Sequence, residues 1–150
     1  MSEPRTSAQR RSDAEAQLSA PAADAWVATA SAEGKEHLVP LSIGWDGERL
    51  LLATEPDAVT TRNLRASGRA RLAVGPTRDV VMIDAVLETV VDVTTAPASI
   101  AETFAAQADW DPRHSTGYLF VVLRPRRVQV WREVDEIAGR TIMRDGRWTA

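Results

Sequence analysis

The segment from Leu50 to Leu64 contains the side chains best suited to bind an anion. A predicted strand ends in this segment, and Asp57 follows Pro56 at a position typical of a helix N-cap. The first turn of such a helix leaves backbone N–H groups unpaired, and these groups carry a partial positive charge. Thr60 adds a hydroxyl, and Arg62 adds a planar guanidinium that matches phosphate geometry. The pattern favours a phosphate site; an ordinary capped helix with a solvent-facing arginine is the alternative.

The sequence identifies no side chain as a catalytic acid or base. His37 is a conceivable proton donor, although a histidine at the start of a strand more often only forms hydrogen bonds. Asp84 and Glu88 lie on one predicted strand, where a spacing of four residues separates them by roughly 13 Å, too far to share a proton. The chain has two histidines and no cysteine. We therefore expect no metal site.

Hydrophobic periodicity and turn residues predict the elements that must position these side chains. The first 12 residues are polar and without periodicity, and we expect a disordered tail there. Helices are predicted over 12–20, between the Asp57 cap and Gly68, and over 97–108. Strands are predicted over 25–30, 37–45, 49–53, 69–74, 79–93, 118–123 and 128–131, with a last small hairpin at Asp145-Gly146.

The predicted elements indicate a mainly β protein of the α+β class. Six or seven strands, the first three forming a meander, occur without strict strand–helix alternation, which favours a closed or partly closed barrel. Side chains fill the interior of a small barrel, so a ligand must bind outside it or at a subunit interface. The runs 80–83 and 119–122 contain more apolar residues than one partly closed core can bury, and a homodimer would bury the remainder.

Length, charge and hydrophobicity exclude several classes of protein. A length of 150 residues predicts a single domain, here 13–150. The net charge of −3 argues against a protein that coats nucleic acid. No apolar run approaches the roughly 20 residues that span a bilayer, and the polar start lacks the apolar segment of a secretory signal. We therefore expect a cytoplasmic protein that does not bind membranes.

Six segments, in this order along the chain, form a pattern that can be compared with known families: Trp26-Val27-Ala28-Thr29, His37-Leu38-Val39-Pro40, Leu51-Leu52-Ala53-Thr54, Thr60-Thr61-Arg62-Asn63-Leu64-Arg65, Arg69-Ala70-Arg71-Leu72 and Arg127-Val128-Gln129-Val130-Trp131. These segments and the order of the elements resemble the pyridoxamine 5′-phosphate oxidase-like family, which has the FMN-binding split β-barrel fold. The resemblance covers about residues 20–132, and the chain looks most similar to a small actinobacterial branch that uses flavin or deazaflavin coenzymes.

The resemblance implies a homodimer with two equivalent cofactor sites along its interface, the ring lying against the second and third strands. It assigns the phosphate and ribityl portion to Thr54, Thr60, Arg62 and Asn63. It assigns the ring to His37, Leu38, Val39 and Pro40, with Trp131 at a position near the ring. This chain departs from the family pattern at two positions: Thr60 replaces a frequent lysine, and Ala58 replaces a basic residue.

Three functions follow from the resemblance. The first is an FMN-binding oxidoreductase that transfers hydride to or from a small organic substrate. The second is a reductase that uses the deazaflavin coenzyme F-420. The third is a dimeric barrel without catalysis that binds a cofactor or haem, which the missing basic residues at Ala58 and Thr60 favour. In the first two, the chemistry belongs mainly to the cofactor, and the protein supplies binding, orientation and electrostatics.

Overall fold

The computed structural model describes residues 3–150 and contains three helices and nine strands. The helices are α1 (Ser7–Ser19), α2 (Val59–Ser67) and α3 (Ala98–Ala108). The strands are β1 (Asp24–Ala30), β2 (Glu36–Ser42), β3 (Gly44–Trp45), β4 (Leu50–Thr54), β5 (Arg69–Val74), β6 (Val80–Asp92), β7 (Leu119–Trp131), β8 (Thr141–Arg144) and β9 (Arg147–Trp148). Two 3₁₀ turns lie at Pro112–His114 and Val134–Glu136.

The strands form one antiparallel sheet that closes on itself through a single residue. Their order is β2-β1-β5-β6-β7-β4-β3, and β8 and β9 continue from the second half of β7. The two strands at the ends of this path, β2 and β3, are joined in the chain by Ile43 alone. Ile43 is fully buried, and its N–H donates to the carbonyl oxygen of Ala23. The sheet is therefore a barrel with a covalent seam.

The break at Ile43 shows that the predicted three-stranded meander was wrong. The segment 37–45 was predicted as one strand that pairs with 49–53, but the chain turns at Ile43 and divides it into β2 and β3. Strand β2 pairs with β1, while β3 pairs with β4 at the other end of the sheet path. Because a residue that changes direction inside a barrel is as apolar as its neighbours, periodicity alone did not reveal the turn.

Two hydrophobic cores lie on opposite faces of β4 and β7. Leu50 and Leu52 point into the barrel, while Leu51 and Ala53 pack under α3. Phe120 and Val122 of β7 also lie in this second core, against Phe104. The apolar residues 119–122 are thus buried within a single chain. They do not need a second subunit to cover them, so this reason for expecting a dimer was wrong.

Helix α1 begins earlier than the sequence predicted. Thr6 and Gln9 form a capping box, in which the Thr6 hydroxyl accepts from the Gln9 N–H and the Gln9 side chain accepts from the Thr6 N–H. Residues 7–12 are therefore helical, which corrects the expected tail over that range; residues 1 and 2 lie outside the described residues. None of the helices in the described part of the chain is long and apolar enough to cross a membrane.

Candidate cofactor-binding cleft

A cleft of about 670 Å³ opens outside the barrel, between β2, the end of β4, the start of α2 and α3. Its volume lies within the range of about 300–1,000 Å³ that is usual for small-molecule sites. Alternate residues of β2 share one face of that strand, and the half-buried side chains on this face form one wall of the cleft. Five of the nine residues predicted to bind a cofactor line it: His37, Val39, Pro40, Thr54 and Thr60.

Aromatic side chains form the opposite wall. Phe104 of α3 meets Trp110 edge to face, with ring centroids 5.8 Å apart, and Trp110 meets Tyr118 in the same way at 5.3 Å. All three line the cleft. The Tyr118 hydroxyl makes no hydrogen bond within residues 3–150 and is available to a ligand. Such a wall suits a planar ring, since aromatic groups pack best against flat partners.

The sequence prediction missed these three aromatic residues. Trp110 and Tyr118 lie eight positions apart, at the two ends of the loop that connects α3 to β7. Their rings meet only because this loop brings its ends together, with the 3₁₀ turn Pro112–His114 between them. A sequence signal was present in the concentration of aromatic residues beside the loop, but it does not tell a ligand-facing ring from a core-filling one.

Hydroxyl groups occupy the corner where β4 meets α2. Thr61 Oγ1 lies 2.8 Å from Thr54 Oγ1 and donates to the carbonyl oxygen of Glu55 at 2.7 Å. These contacts fix the turn before α2 and use hydrogen-bonding capacity of Thr54 and Thr61 within the protein. Thr60 also lines the cleft, and its hydroxyl has no partner in the described chain. Among the threonines of this corner, Thr60 is therefore the best placed to donate to a ligand.

The N-terminus of α2 leaves three backbone N–H groups unpaired. Ala58, and not the predicted Asp57, is the N-cap residue, and no side chain caps the helix. The first helical hydrogen bond runs from the Arg62 N–H to the Ala58 carbonyl oxygen, so the N–H groups of Val59, Thr60 and Thr61 have no acceptor within residues 3–150. Unpaired N–H groups at a helix start attract anions.

A second cavity of about 490 Å³ adjoins the cleft and has charged residues of both signs in its lining, Lys35 and Arg62 with Glu33 and Glu36. His37 lines both cavities, while Arg62 and Lys35 line the second alone. Arg62 is exposed and makes neither an ion pair nor a hydrogen bond through its side chain within the described residues. Asn63 is also at this cavity, but its side chain is buried and donates to Thr29 Oγ1 at 3.1 Å. Asn63 thus holds α2 against β1.

Two predicted site residues lie away from the cleft of their own subunit. Leu38 is on the opposite face of β2 and is 60% exposed. Trp131 is at the end of β7, paired with Val80, and the Arg140 guanidinium lies 5.8 Å from its ring centroid. The structure therefore does not bring Leu38 and Trp131 together with the other predicted site residues.

The family model for pyridoxamine 5′-phosphate oxidase matches residues 14–132. The chain belongs to this family. The match confirms the resemblance seen in the sequence, and the antiparallel sheet with three helices confirms the split-barrel fold of the α+β class. It starts within α1 and ends after β7, so it covers the strands and helices that form both cavities.

Solved structures share the fold at low sequence identity. An F420 reductase aligns with a TM-score of 0.63 and 20% identity over 76% of this chain and 94% of its own. A haem-binding protein from Mycobacterium smegmatis aligns with a TM-score of 0.65 and 21% identity over 97% of this chain, which spans 60% of that protein. HutZ, a haem storage protein from Vibrio cholerae, aligns with a TM-score of 0.62 and 13% identity over 82% of this chain and 92% of its own. No curated protein sequence matches the chain significantly.

Proposed function

We propose that this chain is an FMN-binding oxidoreductase that acts as a homodimer on a small organic substrate. The observation that carries the proposal is the junction of an aromatic cleft with a helix start and an arginine side chain that have no partners among residues 3–150. The cleft suits a planar ring, and the three unpaired N–H groups of α2 with Arg62 suit a phosphate. These groups are therefore free to bind either water or a ligand.

The lining residues also suit the separate parts of the cofactor. The aromatic wall and Thr60 line the cleft, His37 lines both cavities, and Arg62 lines the adjoining one. A ring between Val39 and Trp110 would direct its ribityl chain past Thr60 and its phosphate toward Arg62. The flavin, when bound, supplies the hydride chemistry. The protein binds and orients the ring, excludes water with its aromatic wall, and offers the Tyr118 hydroxyl to the ring or to the substrate.

The proposed homodimer rests on an apolar patch on the outer face of the sheet. Trp26 is 53% exposed and Leu38 is 60% exposed. Residues directly opposite in an antiparallel pair point to the same face, and Trp26 lies opposite Pro40 while Ala28 lies opposite Leu38. The patch is therefore continuous across β1 and β2, on the reverse side of the strand that lines the cleft. A second copy that covers it would stand beside the cofactor site.

The deazaflavin coenzyme F420 and haem are the competing ligands. The same cleft accepts a deazaflavin ring, and the choice between this coenzyme and FMN depends on how much negative charge the Arg62 cavity tolerates. Haem is a candidate because His37 lies between the two cavities, where its imidazole could bind iron while Arg62 and Lys35 bind the propionates.

Titration of the purified protein with FMN, F420 and haemin tests the proposal. We expect FMN to bind with a shifted flavin absorption spectrum and to raise the melting temperature, because a ligand at about 100 times its Kd adds about 2.7 kcal/mol to stability. Light scattering should give twice the mass of one chain. The opposite result would be no binding of FMN or F420, together with a haemin Soret band that His37→Ala abolishes. That result would favour the haem-binding alternative over the oxidoreductase.

A further inference from the structure

We propose that the substrate which shares the aromatic cleft is an uncharged or cationic planar compound, and that Glu55 excludes anions from it. The inference rests on the proposed function for the statement that the occupant is a substrate. The aromatic end of the cleft would then disfavour negative charge, while Arg62 and the start of α2 would bind the phosphate of the cofactor.

The charges of the cleft are unbalanced. None of the residues that line it is an arginine or lysine, and Glu55 is the acidic one. Its carboxylate is exposed and forms no ion pair or hydrogen bond with any residue between 3 and 150. An anion that enters the cleft therefore meets a carboxylate that no arginine or lysine of the lining offsets. Within residues 3–150, the opposing partial charges come from the unpaired N–H groups at the start of α2, which lies at the Thr60 corner of the cleft and not at its aromatic wall.

The backbone holds Glu55 at this position. Its carbonyl oxygen accepts hydrogen bonds from the Thr61 hydroxyl at 2.7 Å and from the Ala58 N–H at 3.1 Å. The turn that carries the side chain is thus tied to the start of α2. The Glu55 side chain is consequently attached to a backbone position that is fixed at the edge of the cleft.

The aromatic wall also disfavours the binding of anions. The faces of aromatic rings carry partial negative charge, so a cation over Trp110 or Tyr118 is attracted and an anion is repelled. Trp110 meets both Phe104 and Tyr118 edge to face, which fixes the orientation of its ring. An uncharged planar compound gains the apolar contact without either electrostatic effect. A substrate with a phosphate or carboxylate beside its ring fits this wall poorly.

Three probes of equal size test the inference: 2-naphthalenemethanol, 2-naphthylmethylammonium and 2-naphthoate. Their dissociation constants are measured by calorimetry at low salt, with and without FMN. We expect the alcohol and the ammonium to bind more tightly than the carboxylate. Trp110→Ala should weaken all three probes, which places them in the cleft. Tighter or equal binding of the carboxylate, or no binding of any probe, would overturn the inference.

Glu55→Gln isolates the contribution of the carboxylate. An exposed charge pair changes affinity by about two- to fivefold, so we expect naphthoate to gain about that factor, the ammonium to lose a similar one, and the alcohol to stay unchanged. Glu48→Gln is the matched control, since it removes the same charge from an exposed turn at the other end of β4. Equal responses to the two substitutions would refute a specific role for Glu55.

The FMN titration separates failure of this inference from failure of the proposed function. If FMN does not bind but the probes keep the expected order, the oxidoreductase proposal fails and the charge preference stands. If FMN binds and naphthoate is the tightest probe, the oxidoreductase proposal stands and the charge preference fails.

Discussion

Two arginines of this chain show opposite uses of the same side chain. Arg10 is 3% exposed, and its guanidinium donates to the carbonyl oxygens of Arg5, Val130, Glu136 and Ala138. Arg62 is exposed, and its guanidinium has no protein partner in the described chain. Arg10 joins α1 to the segment 130–138, while Arg62 lines a cavity beside the start of α2, where three N–H groups have no acceptor within residues 3–150. The difference teaches that pairing, and not residue type, separates a structural cation from one that can bind a ligand.

The network around Arg10 is densely paired. Arg5 makes two side-chain hydrogen bonds to Glu136, at 2.7 and 3.0 Å, and one to Asp13 at 3.0 Å. The N–H groups of Arg5 and Arg132 also donate to the Glu136 carboxylate. Hydrogen bonding to Arg5 lowers the pKa of Glu136 to about 2. This network connects α1 to the 3₁₀ turn after β7, largely outside the part of the chain that the family model matches.

Replacing Arg10 should give the largest effect. Arg10→Ala leaves several buried carbonyl oxygens without a donor, and we expect it to lower the free energy of unfolding by about 3 kcal/mol or more. Urea denaturation measures the loss. Arg11→Ala, on the same helix, removes a half-buried guanidinium that pairs with Glu15 and lies over the Trp148 ring, and it should cost only about 1 kcal/mol. Comparable losses in the two variants would contradict the structural role of Arg10.

Acid should weaken the same network. The pKa of Glu136 is about 2 in the folded protein and near 4.5 without its partners. Its contribution is therefore present above about pH 4.5 and is lost as the pH falls toward 2. We expect this contribution to be on the order of 2–3 kcal/mol and to be absent from Glu136→Gln. The stability difference between parent and variant, measured from pH 6 to pH 2.5, should shrink; a constant difference would count against the linkage.

Arg62→Ala should act on ligand binding and spare stability. We expect it to weaken FMN affinity by about 1.5–3 kcal/mol, the usual range for a hydrogen bond to a charged group, with an unchanged denaturation midpoint. Arg65→Ala is the matched control, because Arg65 is exposed on the same helix and lines neither cavity. Unchanged FMN affinity in Arg62→Ala would remove Arg62 from the cofactor site.

Tyr118→Phe should give the smallest effect. The ring stays against Trp110, and only the unpartnered hydroxyl is lost, so we expect ligand affinity to fall by about 0.5–1.5 kcal/mol without loss of stability. Calorimetric titration with FMN and with a substrate candidate shows which of the two the hydroxyl contacts. No change with either ligand would show that Tyr118 serves only as part of the wall.

The sequence predicted regular elements well, because each has a local cause. Strand β5 has the predicted bounds, Gly68 ends α2 in the left-handed conformation, and the long run 79–93 is a bulged strand with two register shifts. The features that were missed depend on distant partners or on weak local signals. The break at Ile43 needs the whole barrel, and the early start of α1 depends on a capping box between Thr6 and Gln9 in a polar segment.

The candidate site was predictable in part for the same reason. The segment pattern located the α2 start, but it placed the cap on Asp57 and not on Ala58, because both residues precede the helix and only the backbone angles distinguish them. It also treated Asn63 as a ligand-facing residue, whereas Asn63 binds Thr29 of β1. Hydrogen-bond capacity is readable from residue type, but whether another part of the protein already uses it is not.

The seam at Ile43 has a mechanical consequence for the site. Strand β2 carries the cleft wall on one face and the exposed apolar patch on the other, and one buried residue ties its end to the opposite edge of the barrel. The Ile43 N–H bond to Ala23 also anchors this end of β2. A ligand that contacts the β2 wall therefore spends little binding energy on ordering that strand.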